Sequence, residues 1–244
     1  MSRMKKTTFT SVAIAIAVIA NTLSAWAIPL ASSNIPFDYL VRGRDLSRLS
    51  VGVYGFQAKR GISYDATGQS ETLDTSRTQA YLGVDVLRWL TLYGIAGNSE
   101  SQIGDYDKGG SQGEFGFGFR INLLHHFIRE PVPLEDVVRL NFATQYLFSG
   151  TDSGLSSVSW NELSSALTFA LVNHTDGNKF FSPESIAIYA GPIFSILASS
   201  DLESEDNMGV LGGIEFFFTD TFTADLQVQM FEESTVGAGF NFRF

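Results

Sequence analysis

Residues 234–244 read STVGAGFNFRF. Val236, Ala238, Phe240, Phe242 and Phe244 fall on one face of an extended chain, and Thr235, Gly237, Gly239, Asn241 and Arg243 on the other. Successive side chains of a strand point to opposite faces, so a period of two specifies a strand. One face is apolar and ends in three aromatic rings, while the other is small or polar. A strand of a closed transmembrane barrel needs this division, apolar toward lipid and polar or small toward the lumen.

The same alternation recurs upstream. In the stretch 112–124, Phe115, Phe117, Phe119, Ile121 and Leu123 oppose Glu114, Gly116, Gly118, Arg120 and Asn122. Further strands are expected at about 46–58, 76–87, 90–102, 136–148, 157–172, 184–198, 207–218 and 222–231, with Pro192 marking a bulge or irregular stretch. The tally with 112–124 and 234–244 is ten, or eight if the sixth and seventh are misread. The expectation is therefore all-β: a closed, antiparallel, up-and-down transmembrane β-barrel of about ten strands. Residues 59–75, 104–110, 149–156, 199–206 and 232–233 are expected as loops at one end. Turns at 88–89, 125–135, 173–183 and 219–221 lie at the other, with both chain ends. The competing fold is a soluble sandwich or lipocalin-like barrel with its apolar face inward. Polar faces rich in glycine, and aromatics gathered at strand ends, favour the membrane form.

The start of the chain fits export. Arg3, Lys5 and Lys6 precede an apolar run at 12–20 and an Ala25-Trp26-Ala27 cleavage site. Residues 1–27 are read as a signal peptide, 28–45 as a periplasmic lead-in and 46–244 as the barrel domain. The chain has 16 Lys and Arg against 26 Asp and Glu; without the three basic residues of the leader, 13 remain against 26. A net charge of about −13 disfavours nucleic acid as a partner. With no cysteine, neither a disulfide framework nor a thiol site is available.

Together, the leader, the alternation and the terminal aromatics resemble small bacterial outer-membrane β-barrel proteins of the OmpA/OmpX type. In that class the closing strand commonly ends in Phe preceded by alternating aromatics, positions matched here by Phe240, Phe242 and Phe244. The resemblance implies an outer-membrane location, contact with outer-membrane lipid, and a closing strand read by the barrel-assembly machinery. It implies no cofactor and no catalytic residue, and it reaches no loop.

The candidate site is the lumen. Asp85, Glu114, Arg120, Arg139, Glu162, Glu215, Asp225 and Arg243 take the inward phase. Charges in so narrow a space must pair or be hydrated. Two readings follow: a salt-bridged structural plug, or a narrow path for small solutes or ions. Along the chain, Glu114 is expected to meet Arg139 or a polar group near the rim, and Arg120 to reach Asp85, Glu215 or Asp225. His125, His126 and His174 are expected in turns, without the neighbouring nucleophile or third ligand that catalysis or a metal needs. The acidic run Asp201, Glu203, Glu205 and Asp206 is read as a solvated loop in preference to a Ca²⁺ site. A non-enzymatic structural or surface-interaction barrel is the expected function, with a porin-like channel as the alternative.

Overall fold

The computed structural model describes residues 48–64, 70–104, 109–128, 136–153, 156–175, 183–199 and 202–244. The leader, the lead-in and the loop prolines Pro131 and Pro133 lie outside these. Eleven strands follow in order: β1 Leu49–Tyr64, β2 Ser70–Leu87, β3 Leu90–Ile103, β4 Gln112–Ile128, β5 Asp136–Ser153, β6 Ser156–His174, β7 Ser185–Ala198, β8 Leu202–Ser204, β9 Met208–Thr219, β10 Phe222–Met230 and β11 Ser234–Arg243. Each long strand pairs antiparallel with its sequence neighbour, and β11 returns to β1, so ten strands close a barrel. The short β8 stands apart from this ring.

Closure joins Ser50 to Arg243 and continues to Gln57 opposite Val236. The register places the outward phase of the closing strand on the outer wall. There Phe240, Phe242 and Phe244 are exposed, with Phe222 stacked on Phe242 at 4.7 Å between ring centroids. Phe115 stacks on Phe148 at 4.7 Å farther round the wall. Phe117, 60% exposed, sits mid-strand on β4. The inward phase is buried and carries nearly all the buried polar side chains. A soluble barrel of the same alternation would reverse these faces, so the sandwich alternative does not describe this chain.

The strands run farther than their hydrophobic pattern. β1 and β2 continue through most of the expected loop 59–75, and β4 includes His125 and His126. β5 and β6 leave only residues 154–155 between them, and His174 ends β6. The cause is visible on β1. Beyond Gly55 its outward residues are Gln57, Lys59, Gly61 and Ser63, so the strand goes on with polar side chains on its outer face and the alternation disappears while the ladder continues. The acidic segment is also corrected: it contains β8, which pairs with Ile62–Tyr64 of β1 and with Ala198 of β7.

Three register shifts fall at the end of the barrel that holds the chain terminus, near Asp85, Asn122 and Phe222. The expected irregularity at Pro192 takes the form of a break in the β6–β7 ladder, where residues 167–168 are unpaired with 191–192, while β7 stays in register with β9. Pro192 has no N–H to offer that ladder.

Placing a charge on the outer wall tests its assignment. Phe117→Arg is expected to cost roughly 2–4 kcal/mol of insertion energy near the bilayer midplane. The check is heat-modifiable mobility in the membrane fraction; a soluble, folded variant would contradict the outward orientation.

Candidate functional site

The lumen is built in layers, and four tyrosines set its middle. Tyr54, Tyr81, Tyr93 and Tyr189 are all buried. Each stands directly opposite a glycine in the ladder: Tyr54 opposite Gly239, Tyr81 opposite Gly52, Tyr93 opposite Gly118 and Tyr189 opposite Gly213. A methyl at any of these glycines would come within 2.2 to 2.6 Å of the facing ring or its hydroxyl. The glycines are therefore required as space, and each phenol ring covers the backbone its partner leaves bare. Tyr54 and Tyr81 lie 5.4 Å apart, and Tyr81 and Tyr93 6.2 Å apart. Their hydroxyls are used: Tyr54 donates to Asn241, whose amide donates to Thr223 Oγ1 at 3.2 Å, and Tyr93 donates to the Thr144 carbonyl at 3.2 Å.

Charge is distributed around this layer. At the terminal end Arg243 pairs with Asp85, whose other oxygen accepts from Thr91 Oγ1 at 2.7 Å. Arg139 lies over the Phe217 ring at 5.7 Å and feels the charge of Glu215. Centrally, Asp225 and Glu215 are register partners on β10 and β9, and Tyr189 donates to Asp225 Oδ1 at 2.8 Å. Arg120 lies over Tyr93 at 5.7 Å, and its charge acts on Asp225.

Toward the β8 end, Arg77 holds Glu162 at 2.6 Å and stands 3.4 Å from Glu114. Glu114 also accepts from Gln79 at 2.5 Å and from Ser149 at 2.6 Å. Glu162 accepts from Ser164 and Ser195 and faces Arg60 at 3.8 Å. Above this layer Ile62, Leu73, Ile103, Trp160 and Leu197 form an apolar cap.

The eight charges assigned to the interior by phase line it. Arg120 acts on Asp225, one of its expected partners, and Glu114 accepts from the polar Gln79 and Ser149 but not from Arg139. The register puts Arg139 opposite His125, near the terminal end, while Glu114 lies toward the other end of β4. Asp85 is taken by Arg243, which leaves Arg120 to Tyr93 and the field of Asp225. Sequence reasoning missed Arg60 and Arg77, since both fall where a loop or strand edge is expected. Phase alone identifies them, because each shares the inward parity of its strand. Among the described residues, the lumen's charged side chains balance: Arg60, Arg77, Arg120, Arg139 and Arg243 against Asp85, Glu114, Glu162, Glu215 and Asp225.

The histidines change place without gaining a chemistry. His125 packs edge-on to Phe127 at 5.4 Å. His174 Nδ1 and Ser185 Oγ are 3.0 Å apart across the β6–β7 ladder, a contact between strands that phase does not predict. Ser185 is buried at 3% exposure, which leaves no room for a substrate carbonyl at its hydroxyl. No group of three or more His, Cys, Asp or Glu among the described residues is placed to hold a metal.

Three substitutions test this packing. Gly118→Ala forces the Tyr93 ring and the Thr144 backbone apart, and overpacking of this kind costs typically about 1–3 kcal/mol. Arg77→Met strips Glu114 and Glu162 of their shared cation; a broken buried pair costs about 3–5 kcal/mol when fully desolvated and less where water enters. Both are expected to lower the temperature at which the purified barrel unfolds, read as loss of heat-modifiable mobility. Arg120→Ala is expected to do so as well.

No protein-family model matches the chain, and no curated protein matches it. Among solved structures it is similar to the transport unit of the autotransporter AIDA-I from Escherichia coli, at 12% identity, 84% of this chain, 92% of that chain and a TM-score of 0.47. It is also similar to the translocator domain of the autotransporter NalP from Neisseria meningitidis, at 8% identity, 96% of this chain, 98% of that chain and a TM-score of 0.32. A third is the CymD monoaromatic hydrocarbon channel, at 9% identity, 89% of this chain, 95% of that chain and a TM-score of 0.25. The likeness is one of barrel architecture, and no functional argument rests on it.

Proposed function

We propose that the chain is a non-enzymatic outer-membrane β-barrel with a closed lumen, acting as a structural or surface-interaction protein. Its outer wall contacts outer-membrane lipid, its two ends lie in the periplasm, and the β8 end faces outside. The observation that carries the reading is the lumen itself. Arg77, Glu114 and Glu162 meet across it from three strands, the tyrosines fill the layer below, and an apolar cap lies above. A continuous water path needs an open, hydrated bore, whereas here Arg77 bonds Glu162 across it and stands 3.4 Å from Glu114. The two-residue turns at 88–89 and 220–221, and the longer strands toward the other end, support the orientation.

Insertion by the barrel-assembly machinery is part of the same reading. It is supported by the exposed Phe240, Phe242 and Phe244 on the closing strand. Deleting Phe244 is expected to reduce the folded barrel in the outer-membrane fraction several-fold; an undiminished yield would remove the assembly role.

Conductance decides between the plug and the porin-like alternative. In planar bilayers the purified protein is expected to show small or no conductance. Large, steady, ohmic steps in the unmutated protein would put the porin-like channel first.

A further inference from the structure

The barrel does not keep ten strands along its whole height. β10 has 9 residues and β11 has 10, against 16 in β1 and 14 in β7. Above the β10–β11 turn the wall would stand open between β1 and β7. β8 crosses that gap, pairing with β1 on one side and β7 on the other. Below β8 a window remains. β1 pairs with β11 only as far as Gln57 and meets β8 from Ile62, so residues 58–61 have no strand partner on that side, and Gly61 O accepts from Glu205 N at 3.2 Å.

One side chain crosses the window. Arg60 reaches from β1 to β7, donating from Nη1 to Ser195 Oγ at 3.0 Å and from Nη2 to the Ser195 carbonyl. Nη2 also donates to the Asp206 carbonyl, at 3.2 Å, in the segment that follows β8. Phe231, at the β10–β11 turn, lies against the guanidinium, 5.4 Å from its centre. Behind them is a cavity of about 30 Å³, lined by Phe56, Arg77, Glu162, Gln229 and Thr235 among others. That is room for a water-sized molecule. Among the described residues, three buried donors on its lining, Arg60 Nε, Arg77 Nε and Gln229 Nε2, have no hydrogen-bond acceptor, although Arg77 Nε stands 3.4 Å from Glu114. The cavity therefore suits a small hydrogen-bond acceptor. Arg60 and Arg77 are already balanced by Glu114 and Glu162, so a neutral acceptor enters without adding net charge.

Along the barrel axis the cavity is shut from the β8 end by the cap of Ile62, Leu73, Ile103, Trp160 and Leu197. Sideways the Arg60 guanidinium and the Phe231 ring lie across it, with Glu205 and Glu232 beside Gly61. We propose that the window beneath β8 is a lateral entrance to the lumen, with β8 as the strap and Arg60 as its latch, admitting small neutral hydrogen-bond acceptors. Arg60 joins the segment after the strap to β7 through backbone carbonyls, so swinging it out unblocks the window and releases one tie of a strap that stays paired with β1 and β7.

The native chain has no cysteine, so introduced thiols report without background. Thr235→Cys places a thiol on the cavity wall, and Thr223→Cys places one in the lumen on β10 near the terminal end. Ser63→Cys with Glu203→Cys ties the strap to β1, because the two are register partners, and paired antiparallel residues lie about 4.5–5.5 Å apart at Cα, within disulfide reach. The readout is the labelling rate by a small water-soluble thiosulfonate on the purified barrel in detergent. At Thr235→Cys, Arg60→Ala is expected to raise the rate at least tenfold, and the strap crosslink to reverse the rise, with Thr223→Cys unchanged throughout. No acceleration by Arg60→Ala, no slowing by the crosslink, or an equal change at Thr223→Cys would overturn the lateral entrance. A variant that loses heat-modifiable mobility would be replaced by Arg60→Lys, for which a smaller rise of the same selectivity is expected and an unchanged rate overturns the proposal.

Discussion

Closure of the hydrogen-bond ladder is the constraint on which everything else rests. A hydrocarbon environment offers no partner to an unpaired N–H or C=O, so a sheet that crosses it must return to its own first strand. Here the return is the run from Ser50 opposite Arg243 to Gln57 opposite Val236. Once that seam is in register, inward and outward faces are fixed for every strand by parity. The apolar wall, the buried polar interior and the exposed terminal aromatics then follow without further specification.

Closure creates the second problem, an interior to be filled. Ten strands enclose more space than eight, and this chain occupies it with tyrosines, arginines and carboxylates instead of leaving water. The tyrosines bring apolar bodies and polar tips, so they pack in the middle while their hydroxyls reach Asn241, Thr144 and Asp225. Arginine serves the same economy of space: Arg77 lies over Phe56 at 5.1 Å while bonding Glu162. Buried pairs of this kind are weak evidence for stability on their own, but each is costly to break, so they fix which wall faces which.

Much of this was legible in the residues. The alternation of 234–244 and 112–124 places each side chain on the correct face, and ten spanning strands stand where they are expected, several of them running five or six residues farther at the β8 end. What was not legible has two physical causes. Beyond the apolar band the outward residues of β1 are small or polar, so Lys59, Gly61 and Ser63 read as loop although the ladder continues. Partners across a lumen depend on how far each strand is staggered against the next, which phase does not encode. Glu114 was therefore placed in the lumen correctly and matched to the wrong arginine. β8 was hidden for a third reason, since three residues are too few for a period to show.

The facing of each lumen tyrosine by a glycine has a meaning for assembly. A one-residue slip between strands already turns every side chain to the wrong face. A two-residue slip keeps the faces right and would pass that test. The tyrosines bar it in one direction: moving β11 by two against β1 so that Asn241 faces Tyr54 leaves no place for the ring, whereas the opposite shift brings Gly237 there. Moving β4 by two against β3 likewise sets Tyr93 against Arg120 in one direction and Gly116 in the other. The glycines thus act as a combination in which several seams must agree at once, and the barrel carries its own check on register at a distance where hydrophobicity is blind.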